Sequence, residues 1–169
     1  MRRYFLSLWL LASLVALATG ARAEQLAKPE GEPILTITGR IANTNGQDSA
    51  TFDRAMIEAL GMEAVRTATP WYDAPVTFEG VRMDKLMKLV GAEGSTVKAL
   101  ALNDYAIEIP MEDFAKFSVL LALKRDGAYM PVRDKGPLFI IYPYDSDPRL
   151  QTQTYYGRSA WQLARLVVE

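Results

Sequence analysis

Short apolar segments separated by turn-forming residues dominate the chain from residue 34 onward, and this pattern constrains the fold most strongly. Ile34 to Thr38 is rich in Ile, Leu and Thr, which is typical of a strand. Asn45-Gly46 and Asp126-Gly127 are dipeptides that favour hairpin turns. Composition and alternation predict further strands at 64–69, 76–78, 97–102, 105–109, 118–123, 138–142 and 161–168. The last of these segments is also compatible with a helix.

Helical patterns are few and short. Asp53 is a plausible N-cap for a helix over Arg54 to Leu60. Apolar residues at helical spacing predict a second, amphipathic helix from Met83 to Val90, and a short helical turn is predicted over Met111 to Phe117. Many short strands with a few short helices predict a single α+β domain with mixed β-sheets, rather than regular βαβ winding.

The N-terminus carries the pattern of a secretory signal peptide. Arg2 and Arg3 precede an apolar run at 5–18, and Ala21-Arg22-Ala23 has the small-x-small form of a cleavage site. The alternative is a membrane anchor, but the run is shorter than the ~20 residues that span a bilayer. We therefore predict a cleaved signal peptide at 1–23, a flexible lead-in at 24–33 and a domain at 34–169. The expected location is the periplasm, with no stable membrane anchor after cleavage.

The composition excludes several kinds of chemistry. The chain has no cysteine and no histidine, so thiolate and imidazole nucleophiles, zinc sites of the usual kind and Fe–S clusters are excluded. The whole chain has 19 basic and 20 acidic residues. Cleavage after Ala23 would remove three arginines, leaving 16 basic residues and a net charge of −4. An acidic balance argues against a nucleic-acid partner.

An ordered set of motifs resembles one known family. The set runs from ILTITG at 34–39 through Arg66-Thr67-Ala68-Thr69 to Phe78-Glu79-Gly80-Val81, then Asn103-Asp104-Tyr105, Gly136-Pro137-Leu138 and Trp161-Gln162-Leu163. In this order the pieces resemble the oxidoreductase molybdopterin-binding domain, the sulfite-oxidase-like family, over nearly all of 34–169. The resemblance implies the sulfite-oxidase-like molybdopterin-binding fold.

Comparison with the family's motifs also indicates which of its cofactor-binding residues this sequence lacks. In catalytic members a cysteine thiolate binds molybdenum in the segment that here reads from Val65 to Trp71, which contains no cysteine. Thr and Ala supply no soft anionic ligand. The family's His-Gly-x-Pro-Leu-Arg element reads Lys135-Gly136-Pro137-Leu138-Phe139 here, so its histidine and its basic residue are replaced. We therefore expect no cofactor, with molybdopterin as the alternative that the family suggests.

The candidate site residues are those that the resemblance places around the cofactor cleft: Arg66, Thr69, Trp71, Arg133 and Lys135. Each has a simpler interpretation. Arg133 and Lys135 flank Asp134 in what could be a solvated turn, Arg66 and Thr69 could make ordinary strand hydrogen bonds, and Trp71 could cover the edge of the core.

The sequence thus favours an exported, non-catalytic binding or accessory module for a small anionic ligand or for a periplasmic or membrane partner protein. The alternative is a molybdopterin-dependent oxidoreductase that binds its cofactor without a cysteine ligand. A third possibility is a purely structural domain whose cleft is filled.

Overall fold

The computed structural model describes residues 26–169, which form one α+β domain. The predicted signal peptide at 1–23 lies outside the described residues. Within the described part of the lead-in, the backbone N–H groups of Glu30 and Gly31 donate to Asp53 Oδ2 at 2.9 and 2.8 Å. The flexibility of that lead-in stays a prediction. No helix among residues 26–169 has the length and apolarity required to cross a bilayer.

The elements of this part of the chain are short, as the sequence predicts. The strands are β1 Pro33–Gly39, β2 Ala50–Asp53, β3 Glu63–Thr69, β4 Tyr72–Arg82, β5 Thr96–Ala101, β6 Ala106–Pro110, β7 Leu120–Arg125, β8 Ala128–Tyr129, β9 Phe139–Ile141 and β10 Leu163–Val168. The helices are α1 Arg54–Glu58, α2 Met83–Leu89, α3 Glu112–Lys116 and α4 Gln153–Arg158, with single 3-10 turns at Val132–Asp134, Tyr144–Ser146 and Pro148–Leu150.

The first sheet has the strand order β2-β1-β10-β5-β6. Strand β10 pairs in parallel with β1, with Ile37 opposite Leu166, and its other edge pairs antiparallel with β5. The C-terminal strand therefore lies at the centre of this sheet, beside the first strand. Alternate residues of β5 are buried, because one face of the sheet packs on the main core.

The second sheet has the order β3-β4-β7-β8, and β9 pairs with β7 on the same side as β8. Both of its faces are covered. Leu121 and Leu123 of β7 belong to the main core, whereas Leu120 and Ala122 belong to a second apolar cluster that includes Phe78. The unbroken apolar run in β7 thus has a physical cause, since its residues are buried on both sides of the sheet.

Strands β2 and β8 were not predicted, and strand β4 and helix α4 differ most from the sequence expectation. Strand β4 extends from Tyr72 to Arg82, far beyond the predicted 76–78, because it forms a long hairpin with β3 across the Pro70-Trp71 turn. Pro75 is tolerated there because the pairing of β3 and β4 is irregular between Thr67 and Thr69. Helix α4 lies in what reads as a polar loop. Of the ambiguous segment 161–168, residues Leu163–Val168 are confirmed as a strand, and Trp161 forms an isolated bridge to Phe139.

Candidate functional site

Trp71 is the centre of an aromatic cluster and packs against both the main core and the second apolar cluster. Its ring lies in the turn between β3 and β4. The ring centroids of Phe139, Trp161, Tyr156 and Tyr144 are 5.2, 5.6, 6.1 and 6.2 Å from that of Trp71. These separations and the tilted or edge-to-face angles are favourable for aromatic pairs. Trp71 therefore has four ring neighbours, which come from β9, the 3-10 turn Tyr144–Ser146, α4 and the link between α4 and β10.

A pocket of about 320 Å³ opens beside this cluster. Its walls come from the β3–β4 turn, the β5–β6 turn, α4 and the residues that follow α4. The lining residues are Pro70, Trp71, Asn103, Tyr105, Gln153, Tyr156, Gly157, Ser159 and Trp161. None of them is charged. Aromatic walls with a few amides and hydroxyls are the usual lining of a small-molecule site.

The β5–β6 turn is tied to α4 by one hydrogen bond. The Tyr105 hydroxyl donates to the Gly157 carbonyl oxygen at 2.8 Å. The Tyr105 backbone N–H donates to Asn103 Oδ1 at 3.2 Å, which sets the shape of the turn. Tyr105 and Gly157 both line the pocket, so this contact joins two of its walls that are far apart in sequence.

A buried polar network holds the end of α4 in place. Asp113 is only 3% exposed, and its Oδ2 accepts from the Tyr142 hydroxyl and from Arg158 Nη1, both at 2.8 Å. Burial, reinforced by the charge of Asp113, raises the pKa of Tyr142 far above its usual range. Tyr142 therefore remains a donor, and the network fixes α4 against α3.

Lys135 lies beside Trp161 and, with Arg133, forms a cationic rim. The Lys135 ammonium is 5.1 Å from the Tyr72 ring centre and 5.6 Å from the Trp161 ring centre, within range of a cation–π interaction. Lys135 adopts a left-handed backbone with φ 66°, which is unfavourable for a residue other than glycine.

Asp134 does not neutralise its two cationic neighbours. Its carboxylate pairs with Arg125 at 2.9 Å, and the Arg125 guanidinium lies 4.6 Å from the Tyr72 ring centre. Within residues 26–169, Arg133 and Lys135 form no ion pair. Burial raises the pKa of Tyr72, an effect that the adjacent Arg125 partly offsets. The Tyr72 hydroxyl has no partner in hydrogen-bonding geometry among residues 26–169.

The five residues predicted from the sequence are only partly brought together. Trp71 and Lys135 both contact Trp161, and Thr69 Oγ1 accepts from the Trp71 N–H at 3.3 Å. Arg66 is exposed and donates to the Pro75 carbonyl oxygen at 2.8 Å. Arg133 is exposed in the 3-10 turn before Lys135. The role of these residues in ligand binding stays a prediction.

Most of the pocket lining was not identified from the sequence. Asn103 and Tyr105 were interpreted as turn and strand-start residues, and Gln153, Tyr156 and Gly157 lie in the helix that was not predicted. Trp161 was predicted only as part of a strand. The signal that could have found them is the pair Tyr155-Tyr156 followed by Gly157 and Trp161, an aromatic density unusual for a polar surface loop.

The donor atoms available do not suit a sulfur-ligated molybdenum. The sequence contains neither cysteine nor histidine. Among residues 26–169, no group of three or more acidic residues is placed to hold a metal ion. The remaining oxygen donors are hydroxyl, amide and carboxylate groups, which suit hard cations, and the methionine thioethers supply no anionic sulfur.

Comparison with known proteins supports the fold alone. The solved structure of the sulfane dehydrogenase SoxCD from Paracoccus pantotrophus superimposes with a TM-score of 0.55 at 16% sequence identity. The match covers 79% of this chain but 37% of that chain. This distant likeness confirms the sulfite-oxidase-like fold that the sequence predicts. No family model matches the chain. No curated protein matches it either.

Proposed function

We propose that the chain is an exported, non-catalytic module of the periplasm that binds a small anionic ligand or a partner protein from the periplasm or the membrane. The observation that carries this proposal is the arrangement around Trp161. Trp161 lines an uncharged aromatic pocket and also lies next to Lys135, whose charge no carboxylate among residues 26–169 neutralises in an ion pair. A pocket beside an uncompensated cation suits a ligand that is part apolar and part anionic.

The absence of a cysteine thiolate supports a non-catalytic role. A thiolate-bound metal needs a donor that no residue of this sequence supplies. A shared fold does not by itself imply a shared activity, because function depends on the site. The alternative, an oxidoreductase that holds molybdopterin through the protein's other groups, predicts stoichiometric molybdenum in the purified protein.

The cationic rim provides the test. The double variant Arg133→Ala/Lys135→Ala is titrated calorimetrically with sulfate, phosphate, acetate and benzoate, and the parent protein is treated identically. We expect the variant to lose the binding of whichever anions the parent binds while its Tm stays nearly the same. The matched control is Arg40→Ala/Lys88→Ala, which removes the same charges from exposed positions outside the pocket and the rim.

For a protein partner, the same two double variants are compared in capture from native periplasm. Binding that survives in Arg133→Ala/Lys135→Ala, or that falls equally in the control, would contradict the assignment of this surface. The Tm of the variant is measured first, to show that it is folded. We expect it to fold because both substituted side chains are at least partly exposed.

A further inference from the structure

We propose that the pocket beside Trp71 binds a planar, two-ring aromatic group, and that Lys135 pairs with an anionic substituent on that group. This inference rests on the proposed binding function and names the chemical class of its ligand. It depends on four properties of the site, which are its volume, its walls, its lack of charge and its position next to Lys135.

The volume selects the size of the ligand. A cavity of about 150 Å³ is large enough to hold one benzene ring. The pocket here has about 320 Å³, roughly twice that space. One ring would leave much of the lining without contacts, whereas two fused rings would fill the space and remain flat. Larger ligands would have to extend out of the mouth.

The walls select an aromatic ligand. Trp71, Trp161, Tyr105 and Tyr156 supply four rings to the lining, and Trp71 and Trp161 meet edge-to-face at an interplanar angle of 79°. A planar ring could therefore contact the face of one indole and the edge of the other, which are the two favourable aromatic geometries. An aliphatic ring of equal size would fill the space without this preference.

The charge pattern selects an anionic substituent at one end only. The lining carries no charged side chain, so a charge buried within the pocket would have no partner. The amides of Asn103 and Gln153 offer neutral hydrogen bonds. Trp161 is the wall that the pocket shares with Lys135, whose ammonium lies 5.6 Å from the indole centre. An anion is therefore favoured at the Trp161 end.

Gly157 offers a way to close the pocket without disturbing the fold. It lies in α4 and lines the pocket, and a Cβ built on it meets only the Tyr105 hydroxyl, at 3.8 Å. Gly157→Ala would add a methyl group at ordinary contact distance. Gly157→Leu would project a branched side chain into the cavity. Both residues favour a helix more than glycine does, so the Tm of each variant is expected to equal or exceed that of the parent.

The experiment uses the full chain as expressed and purified, titrated by calorimetry with 2-naphthoate. Three matched probes separate the contributions of the rings and of the charge. The probe 2-naphthalenemethanol has the aromatic rings without the charge, and cyclohexanecarboxylate has the charge on an aliphatic ring. Acetate has the charge and no ring. We expect 2-naphthoate to bind most tightly. Gly157→Leu is expected to weaken it by about tenfold or more, the equivalent of at least ~1.4 kcal/mol, and Gly157→Ala by less, because a methyl group occupies less of the cavity.

Lys135 is tested with Lys135→Gln against the control Lys88→Gln. A partly exposed ion pair contributes about 1 kcal/mol or less, so the loss of naphthoate affinity is expected to be about threefold. Binding of 2-naphthalenemethanol should be the same in all three proteins. The indole N–H signals of Trp71 and Trp161, the tryptophans of the described residues, should shift with naphthoate and not with acetate.

Three outcomes would overturn the inference: no binding of 2-naphthoate, equal binding by Gly157→Leu and the parent, or tighter binding of cyclohexanecarboxylate than of 2-naphthoate. The failure of the broader proposal would look different. If small inorganic anions bind and depend on Lys135 while no aromatic probe does, the binding module stands and the ligand class is wrong. Stoichiometric molybdenum would instead refute the non-catalytic function itself.

Discussion

The buried Asp113 network gives a sharp prediction about what holds the pocket together. Asp113→Ala removes a carboxylate that accepts from both the Tyr142 hydroxyl and Arg158 at 2.8 Å. Tyr142 is fully buried, so its hydroxyl would lose its partner without gaining water. Arg158 ends α4, and its side chain would become a largely buried cation without a counter-charge.

The magnitude follows from the burial of these groups. Removing one partner of a buried ion pair costs about 3–5 kcal/mol. The Arg158 side chain is 21% exposed, so contact with water reduces the cost of leaving its charge unpaired. We therefore take the lower end, about 3 kcal/mol. For a domain of this size, that loss corresponds to a fall in Tm of about 6–12 °C.

The assay is urea unfolding with a parallel thermal melt, and two further variants serve as controls. Tyr142→Phe removes only the hydroxyl, and combining it with Asp113→Ala should cost less than the sum of the two single changes, because they share a hydrogen bond. Glu63→Ala breaks an ion pair with Lys85, in which the side chains of Lys85 and Glu63 are 47% and 43% exposed, and should leave Tm nearly unchanged. A loss below about 1 kcal/mol for Asp113→Ala would refute the reasoning.

Two other predictions concern the edges of the core. Hydrogen bonds from the N–H groups of Gly31, Met56 and Glu30 lower the pKa of Asp53 below its ordinary value of 3.8. The carboxylate therefore stabilises the fold above about pH 3.8, and this contribution is lost as the pH falls below that value towards the folded pKa. Asp53→Asn should consequently show a smaller fall in Tm than the parent between neutral and strongly acidic pH, and an equal fall would contradict this. Gly80→Ala would place a Cβ 2.0 Å from the Leu121 carbonyl oxygen, so we expect a loss of about 3 kcal/mol by urea unfolding. Gly157→Ala, with no close contact, is its control, and equal stability of the two variants would exclude the clash.

The sequence predicted the fold well because its local signals agree with the tertiary structure. Asp53 caps α1 as its side chain and position suggest, and the apolar spacing from Met83 to Val90 matches the buried face of α2. The strand patterns were informative because one-sided burial produces alternation and two-sided burial produces an unbroken apolar run, as in β7.

The pocket was much harder to predict because it is a product of tertiary contacts. Tyr105 and Gly157 are 52 residues apart in the sequence and are joined by one hydrogen bond, a contact that no local sequence pattern predicts. Helix α4 contains Gly157 and has no apolar periodicity, so propensity disfavours it, and the Arg158–Asp113 pair anchors it instead. The cationic turn at Arg133 and Lys135 was identified only through family resemblance.

The central claim is that a domain with the sulfite-oxidase-like fold acts here as a binding module without the molybdenum cofactor. Molybdenum content tests that claim most directly. The full chain is produced in a host that makes molybdopterin, purified by gel filtration and measured by inductively coupled plasma mass spectrometry. A cysteine-containing catalytic protein of the sulfite-oxidase-like family, produced in parallel, shows that the host loads the cofactor. We predict molybdenum at the level of the buffer for this chain. Molybdenum in equal molar amount with the protein would contradict the account.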